Sequence, residues 1–155
     1  MDVRLVFTAD DTGAAADLLD AFNREFGAPT PGAEAIANRL AELLADERTF
    51  ALLVGSPPVG IALVTLRTNV WNSGLVGMLD ELYVAPSQRN AGLGSALLGA
   101  AEAEVAARGG EVLEINVDGE DVDAQRLYER QGYVDHDTWS QQSSRMYFRE
   151  LRPRP

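Results

Sequence analysis

The chain has 155 residues, 46% of them hydrophobic and 24% charged, which suits one globular domain with a buried core. Its formal net charge is −11 and every basic residue is arginine, a balance that repels phosphate backbones and argues against a nucleic-acid partner. The absence of lysine removes P-loop and Schiff-base chemistry, and the absence of cysteine removes disulfides, thiolate nucleophiles and Cys-ligated metals.

In chain order, Val3 to Thr8 reads as a strand. Asp10 or Asp11 is the expected cap of a helix whose apolar stripe is Leu18, Leu19, Phe22 and Phe26. Gly27 to Gly32, with two prolines, ends it, and a second amphipathic helix follows with Ile36, Leu40, Leu43 and Leu44 on one face. Phe50 to Val54 and Val59 to Leu66 are predicted strands joined by Gly55-Ser56-Pro57-Pro58. Asn72-Ser73-Gly74 turns the chain into a strand from Leu75 to Val84, which Pro86 and Ser87 stop. A helix is predicted from about Gly92 to Ala107, closed by Gly109-Gly110.

Glu111 to Val117 reads as a strand, Asp121 to Gln131 as a helix stopped by Gly132, and Tyr133 to Thr138 and Ser143 to Leu151 as two final strands. The order β-α-α-β-β-β-α-β-α-β-β implies an α/β (α+β mixed) fold with one parallel pair in a mostly antiparallel sheet. We expect residues 1–151 to form a single domain and 152–155 a loose tail. His136 is the one histidine, so a catalytic triad or multi-histidine metal site would need it, and no metal is expected. No apolar run approaches the roughly 18 residues of a membrane span, and Met1-Asp2-Val3-Arg4 lacks the basic-then-apolar pattern of a secretory signal. The expectation is a cytoplasmic protein with no membrane partner.

The segment Arg89-Asn90-Ala91-Gly92-Leu93-Gly94-Ser95 lies between a predicted strand and a predicted helix. Free amide hydrogens at a helix start point outward at the positive end of the dipole, where an anion satisfies them. Gly92 and Gly94 leave room for a pyrophosphate to reach the backbone, and Arg89 can add charge from the flank.

Leu82-Tyr83-Val84-Ala85-Pro86 and Gln88 through Leu98 resemble the acetyl-CoA motif of GNAT acetyltransferases, Q/R-x-x-G-x-G/A after the fourth strand. Asp121, Ala124, Leu127, Tyr128 and Gly132-Tyr133 resemble that family's second block, N-x-x-A-x-x-L-Y-x-x-x-G-F/Y. Asp121 departs from it, standing where asparagine is usual. The resemblance implies the GNAT fold, with the sheet splayed between strands 4 and 5 and acetyl-CoA in the gap. Backbone groups of Leu82, Tyr83 and Val84 would then pair with the pantetheine arm, Asp121 and Ala124 would flank it, and the turn Arg89 to Ser95 would take the pyrophosphate.

Acetylating an amine requires a base, because an alkyl ammonium with a pKa near 10 cannot attack, and an acid for the departing thiolate. The family places its acid at Tyr128; a core aromatic with a bonded hydroxyl is the alternative. Glu81 matches the catalytic carboxylate of the aminoglycoside 3-N-acetyltransferase branch. Simple strand alternation sends Asp80 and Glu81 to opposite faces, although a bulge would change that parity and keep Asp80 a candidate. Phe22, Arg24, Glu25, Phe26 and Gly27 extend the likeness to that branch. Asp80, Glu81, Asp118 and Glu120 could form an anionic bowl for an aminoglycoside- or polyamine-like substrate, or the later acids could simply cap a helix start and face water. Trp71 and Trp139 could line a sugar site or cover core. The expected partner is a small amine, with a homodimer left open. A protein lysine or N-terminal acetyltransferase and a non-catalytic acyl-CoA-binding module are the alternatives.

Overall fold

The computed structural model describes residues 2–137 and 139–152. The chain divides into two compact units, residues 1–115 and 116–155. In the first, β1 (Val3–Leu5), α1 (Ala9–Glu25), α2 (Ala33–Leu44), β2 (Thr49–Val54), β3 (Gly60–Arg67), β4 (Leu75–Val84), a short 3-10 turn (Pro86–Gln88), α3 (Leu93–Ala107) and β5 (Gly110–Ile115) follow one another. The sheet order is β1-β2-β3-β4-β5, antiparallel up to β4 and parallel between β4 and β5. The mixed α/β fold expected from the sequence is the one observed.

Several boundaries differ. β1 ends at Leu5, although the Val6 amide still donates to the Ala51 carbonyl at 2.9 Å. The cap of α1 is neither Asp10 nor Asp11 but Thr8, whose hydroxyl accepts from the Asp11 amide at 3.1 Å. Both aspartates instead lie in the first turn, where negative charge complements the helix dipole. Arg4 also holds Asp11, at 3.1 Å.

The two faces of the sheet carry different helices. A β-carbon added at Gly60 would stand 3.2 Å from Leu97 Cδ1, so the even-numbered residues of β3 face α3. Leu97, Leu98, Ala101 and Val105 are buried there. The odd-numbered Ile61 and Leu63 instead join a core cluster with Ala15, Ala16, Leu40, Leu53 and Tyr83, against which Leu19, Phe22 and Ile36 pack. That is the α1/α2 layer.

The β3–β4 ladder slips once. Val64 pairs with Leu79 but Leu63 pairs with Glu81, leaving Asp80 as an extra residue on β4. This bulge reverses the strand's facing. Before it, Gly77 and Leu79 sit opposite Leu66 and Val64 on the α3 side; after it, Glu81 and Tyr83 sit opposite Leu63 and Ile61 on the α1/α2 side.

In the second unit, α4 (Val122–Arg130) stops before Gly132, whose φ of 90° only glycine adopts at little cost. The strands expected at Tyr133–Thr138 and Ser143–Leu151 are not formed among the described residues, and Thr138 lies outside them. Local bonds capture this backbone instead. The Ser144 amide donates to the Asp135 carbonyl at 2.6 Å, and the Ser143 hydroxyl to the Asp135 carboxylate at 2.9 Å. Met146, Tyr147, Phe148 and Leu151 are left exposed.

Candidate functional site

Beyond the bulge, β4 outruns its parallel neighbour. β5 ends opposite Leu79, and among the described residues Asp80 to Val84 are laddered to β3 alone. The Ala85 amide donates to the Val59 carbonyl, so by alternation Leu82 and Val84 turn their amides and carbonyls toward the open edge. An extended ligand arm can add to that edge as a strand would. The side chain of Tyr83 is not available to such a ligand. It is buried, its ring stacked on Phe22 at 4.9 Å.

The chain then passes through the 3-10 turn into α3. Asn90 (φ 63°) and Gly92 (φ 80°) both adopt left-handed backbone, and Gly92 is the N-cap with no side-chain hydrogen bond. Asparagine tolerates this region and glycine is free in it. The Leu93 and Gly94 amides of this 15-residue helix therefore follow a cap whose side chain supplies them no acceptor. Arg89, Asn90, Ala91, Gly92, Leu93, Gly94 and Ser95 thus form the kind of concavity in which a diphosphate fits.

Arg89 is already engaged. Its Nε donates to the Val84 carbonyl at 2.9 Å, and its Nη2 to Glu25 Oε1 at 2.8 Å. The same Glu25 oxygen accepts from the Tyr83 hydroxyl at 3.0 Å, and the guanidinium lies 5.5 Å from the Tyr83 ring centre. The hydrogen bond from Arg89 holds the Glu25 carboxyl below the ordinary range. Sequence reading had no means of joining residues 64 apart, although Glu25 lay within the stretch it singled out.

The alternation of Asp80 and Glu81 expected from the sequence does not hold. Asp80 accepts from the Thr65 hydroxyl at 2.8 Å, and Thr65 shares its face of β3 with Leu63, the partner of Glu81. The bulge therefore sends both carboxylates to the α1/α2 side. Glu81 lines a cleft of about 210 Å³ with Leu19, Ile36, Leu40, Leu63 and Arg39 among its walls. It is half-buried and, among the described residues, takes part in no hydrogen bond or ion pair. Burial, and then the Asp80 charge, push its carboxyl up; burial pushes Asp80 up as well, opposed by Thr65.

The remaining expected residues belong to the second unit. Asp121 caps α4, its carboxylate accepting from the Ala124 amide at 3.1 Å. That is the helix-capping alternative raised for the acidic run. Asp118 and Glu120 are exposed. Tyr128 is half-buried on α4, its ring 6.1 Å from that of Tyr133 in an edge arrangement. Trp71 and Trp139 are 89% and 84% exposed, so neither covers core. Among the described residues no helix is long and apolar enough to cross a membrane.

A family model described as the acetyltransferase (GNAT) family matches residues 15–133. The aminoalkylphosphonate N-acetyltransferase of Salmonella typhimurium is 33% identical over 75 residues, covering 48% of this chain and 49% of that protein. The chain therefore spans about half the length of the curated relative it matches. A crystal structure from Arthrobacter sp. FB24, of a protein assigned as an acetyltransferase, is 48% identical with a TM-score of 0.89, covering 97% of this chain and 96% of that one. An aminoglycoside N-acetyltransferase in complex with CoA shares the fold at 17% identity and a TM-score of 0.73, covering 97% and 99% of the two chains.

Proposed function

The chain belongs to the GNAT family of acetyltransferases, whose donor is acetyl-CoA, and we propose that it moves the acetyl group directly onto a primary amine of a small molecule entering as a cation. One observation carries the reading. Glu81, a half-buried carboxylate without a partner among the described residues, stands on the stretch of β4 that is laddered to β3 alone among them and leads into the α3 turn.

The thioester supplies an activated acyl group; the chain's own residues supply position and proton transfer. The Leu82 and Val84 backbone receives the extended arm, and the amides of Gly92, Leu93 and Gly94 receive the diphosphate, with Arg89 released from Glu25 to join them. Glu81 attracts the ammonium and takes its proton, which passes to solvent. A carboxyl raised by burial is a better base for this than an exposed one. As the nitrogen–carbon bond forms and the carbon–sulfur bond breaks, nitrogen loses a second proton, which balances the one Tyr128 gives to sulfur. Asp80 keeps Glu81 basic through its charge. Direct attack needs no acyl-enzyme, in keeping with a chain that has no cysteine.

The position of Glu81 is the point of likeness to the aminoglycoside 3-N-acetyltransferase branch, so an aminoglycoside belongs among the acceptors tested. The relative named for aminoalkylphosphonate brings that class in as well. The test is free-thiol release from acetyl-CoA with aminoglycosides, polyamines, amino acids, aminoalkylphosphonates and peptides. Release with a small amine, lost in Glu81→Gln, is the expected result. Release with peptides alone would move the acceptor to proteins, and CoA binding without release from any amine would leave a binding module.

A further inference from the structure

The cleft that holds Glu81 is bipolar. On α2, Ile36, Arg39, Leu40 and Leu43 stand at i, i+3, i+4 and i+7, so they share one helix face, and all four line the cleft. Arg39 is thus the one charged residue of this helix face, bordering a wall that is otherwise apolar, while the carboxylate of Glu81 stands on the sheet opposite Leu63. Arg39 is held by a 2.8 Å pair with Glu42, each side chain 68% exposed. Pairs of this exposed, i,i+3 kind contribute little. A ligand can take over the guanidinium without disrupting buried structure.

These features select among amines. A polycation would bring a second positive charge to the wall that carries Arg39. A plain alkylamine would satisfy Glu81 and leave the guanidinium unused. The volume of about 210 Å³ is below the ~300–1,000 Å³ common for drug-sized ligands, which suits a short molecule. Resting on the transferase reading above, we infer that the acceptor is zwitterionic: an ammonium at Glu81, a short apolar chain against Leu40 and Leu43, and an anionic group received by Arg39. A carboxylate and a phosphonate share the chemistry that a guanidinium recognises.

The experiment uses the full chain with acetyl-CoA and four acceptor series of matched length: ω-amino carboxylates, ω-aminoalkylphosphonates, monoalkylamines and α,ω-diamines. At the preferred length, an acid-bearing acceptor is expected to exceed the matched monoalkylamine about tenfold in kcat/KM, chiefly through KM. Whichever acid gives the larger ratio identifies the natural group. Arg39→Gln is expected to bring the ratio close to one and Arg39→Lys to restore part of it. Arg48→Gln, the same charge change at an exposed residue outside the cleft, should keep the ratio. A preference for diamines, a ratio near one in the unaltered protein, or a ratio that survives Arg39→Gln overturns the inference. Each of those leaves the transferase reading standing as long as thiol is released. Absence of release from every series removes both.

Discussion

Glu25 and Glu81 meet the same stretch of β4 under opposite conditions. Glu25, the last residue of α1, receives the Tyr83 phenol and the Arg89 guanidinium on one oxygen, and its carboxyl lies below the ordinary range. Glu81, two residues before Tyr83 on the strand, faces an apolar cleft beside Asp80, and its carboxyl lies above it. The first arrangement favours the charged carboxylate and ties a helix end to the phosphate turn. The second leaves a carboxylate in want of a cation or a proton, which is the condition of a base before its substrate arrives. A ring of partners marks an anchor, and the want of one marks chemistry.

The largest test of that contrast is Glu81→Gln. Turnover should fall about 10²- to 10⁴-fold, the usual range for a lost general base. Stability should not fall with it. A carboxyl raised in the folded state contributes stability below its unfolded pKa and loses that contribution as pH rises through its folded pKa. The glutamine variant should thus be at least as heat-stable as the parent at neutral pH, with its advantage shrinking toward acid. Thermal unfolding across pH, beside initial rates, checks both halves. Parallel losses of activity and stability would make Glu81 an anchor like Glu25.

Tyr128→Phe should lower turnover about 10²-fold while leaving CoA affinity near the parent value. An unchanged rate would return Tyr128 to a packing role. Asp80→Asn should cost less, within about tenfold in rate, and change the pH profile. The Asp80 charge helps keep Glu81 protonated, so its removal should move the acid limb of kcat to lower pH. A limb that stays in place would show burial alone setting the base.

Glu25→Gln should have the smallest effect, less than about 1 kcal/mol, because the Glu25–Arg89 pair is partly exposed and screened. Its sign is opposite to that of Glu81→Gln. A lowered carboxyl contributes stability above its unfolded pKa and loses it as pH falls through the folded one, so parent and variant should converge toward acid, below the ordinary carboxylate range. CoA affinity, measured by calorimetry, should rise in the variant, since Glu25 no longer competes for Arg89.

What the sequence disclosed was what local chemistry decides. β4 was bracketed at Leu75 and Val84 by a turn cluster and a proline, and α3 was placed one residue from its observed start because its apolar stripe begins at Leu93. The cap of α1 was missed because Thr8, Asp10 and Asp11 are all competent within four residues, and it is the Thr8 hydroxyl that meets the Asp11 amide. The two final strands were read from apolar pattern, but a strand also needs an edge to pair with, and Asp135 engages that backbone first. At the site, the phosphate turn was legible as a motif and the shared face of Asp80 and Glu81 was not. No glycine or turn residue announces the bulge, and the Thr65 partner lies 15 residues away.

That surplus residue is dispensable to the ladder but not to the charge of the cleft. Gly77 and Leu79 face the α3 layer, Glu81 and Tyr83 the α1/α2 layer, and Asp80 is the unpaired residue between them. Replacing Asp80 changes a charge. Deleting it would set Leu79 and Glu81 side by side opposite Val64 and Leu63, a regular ladder in which Glu81 and Tyr83 keep their faces, and would remove the carboxylate beside Glu81 together with the acceptor of the Thr65 hydroxyl. The strand can therefore close over position 80, and the residue there acts on the charge of its neighbour rather than on the register.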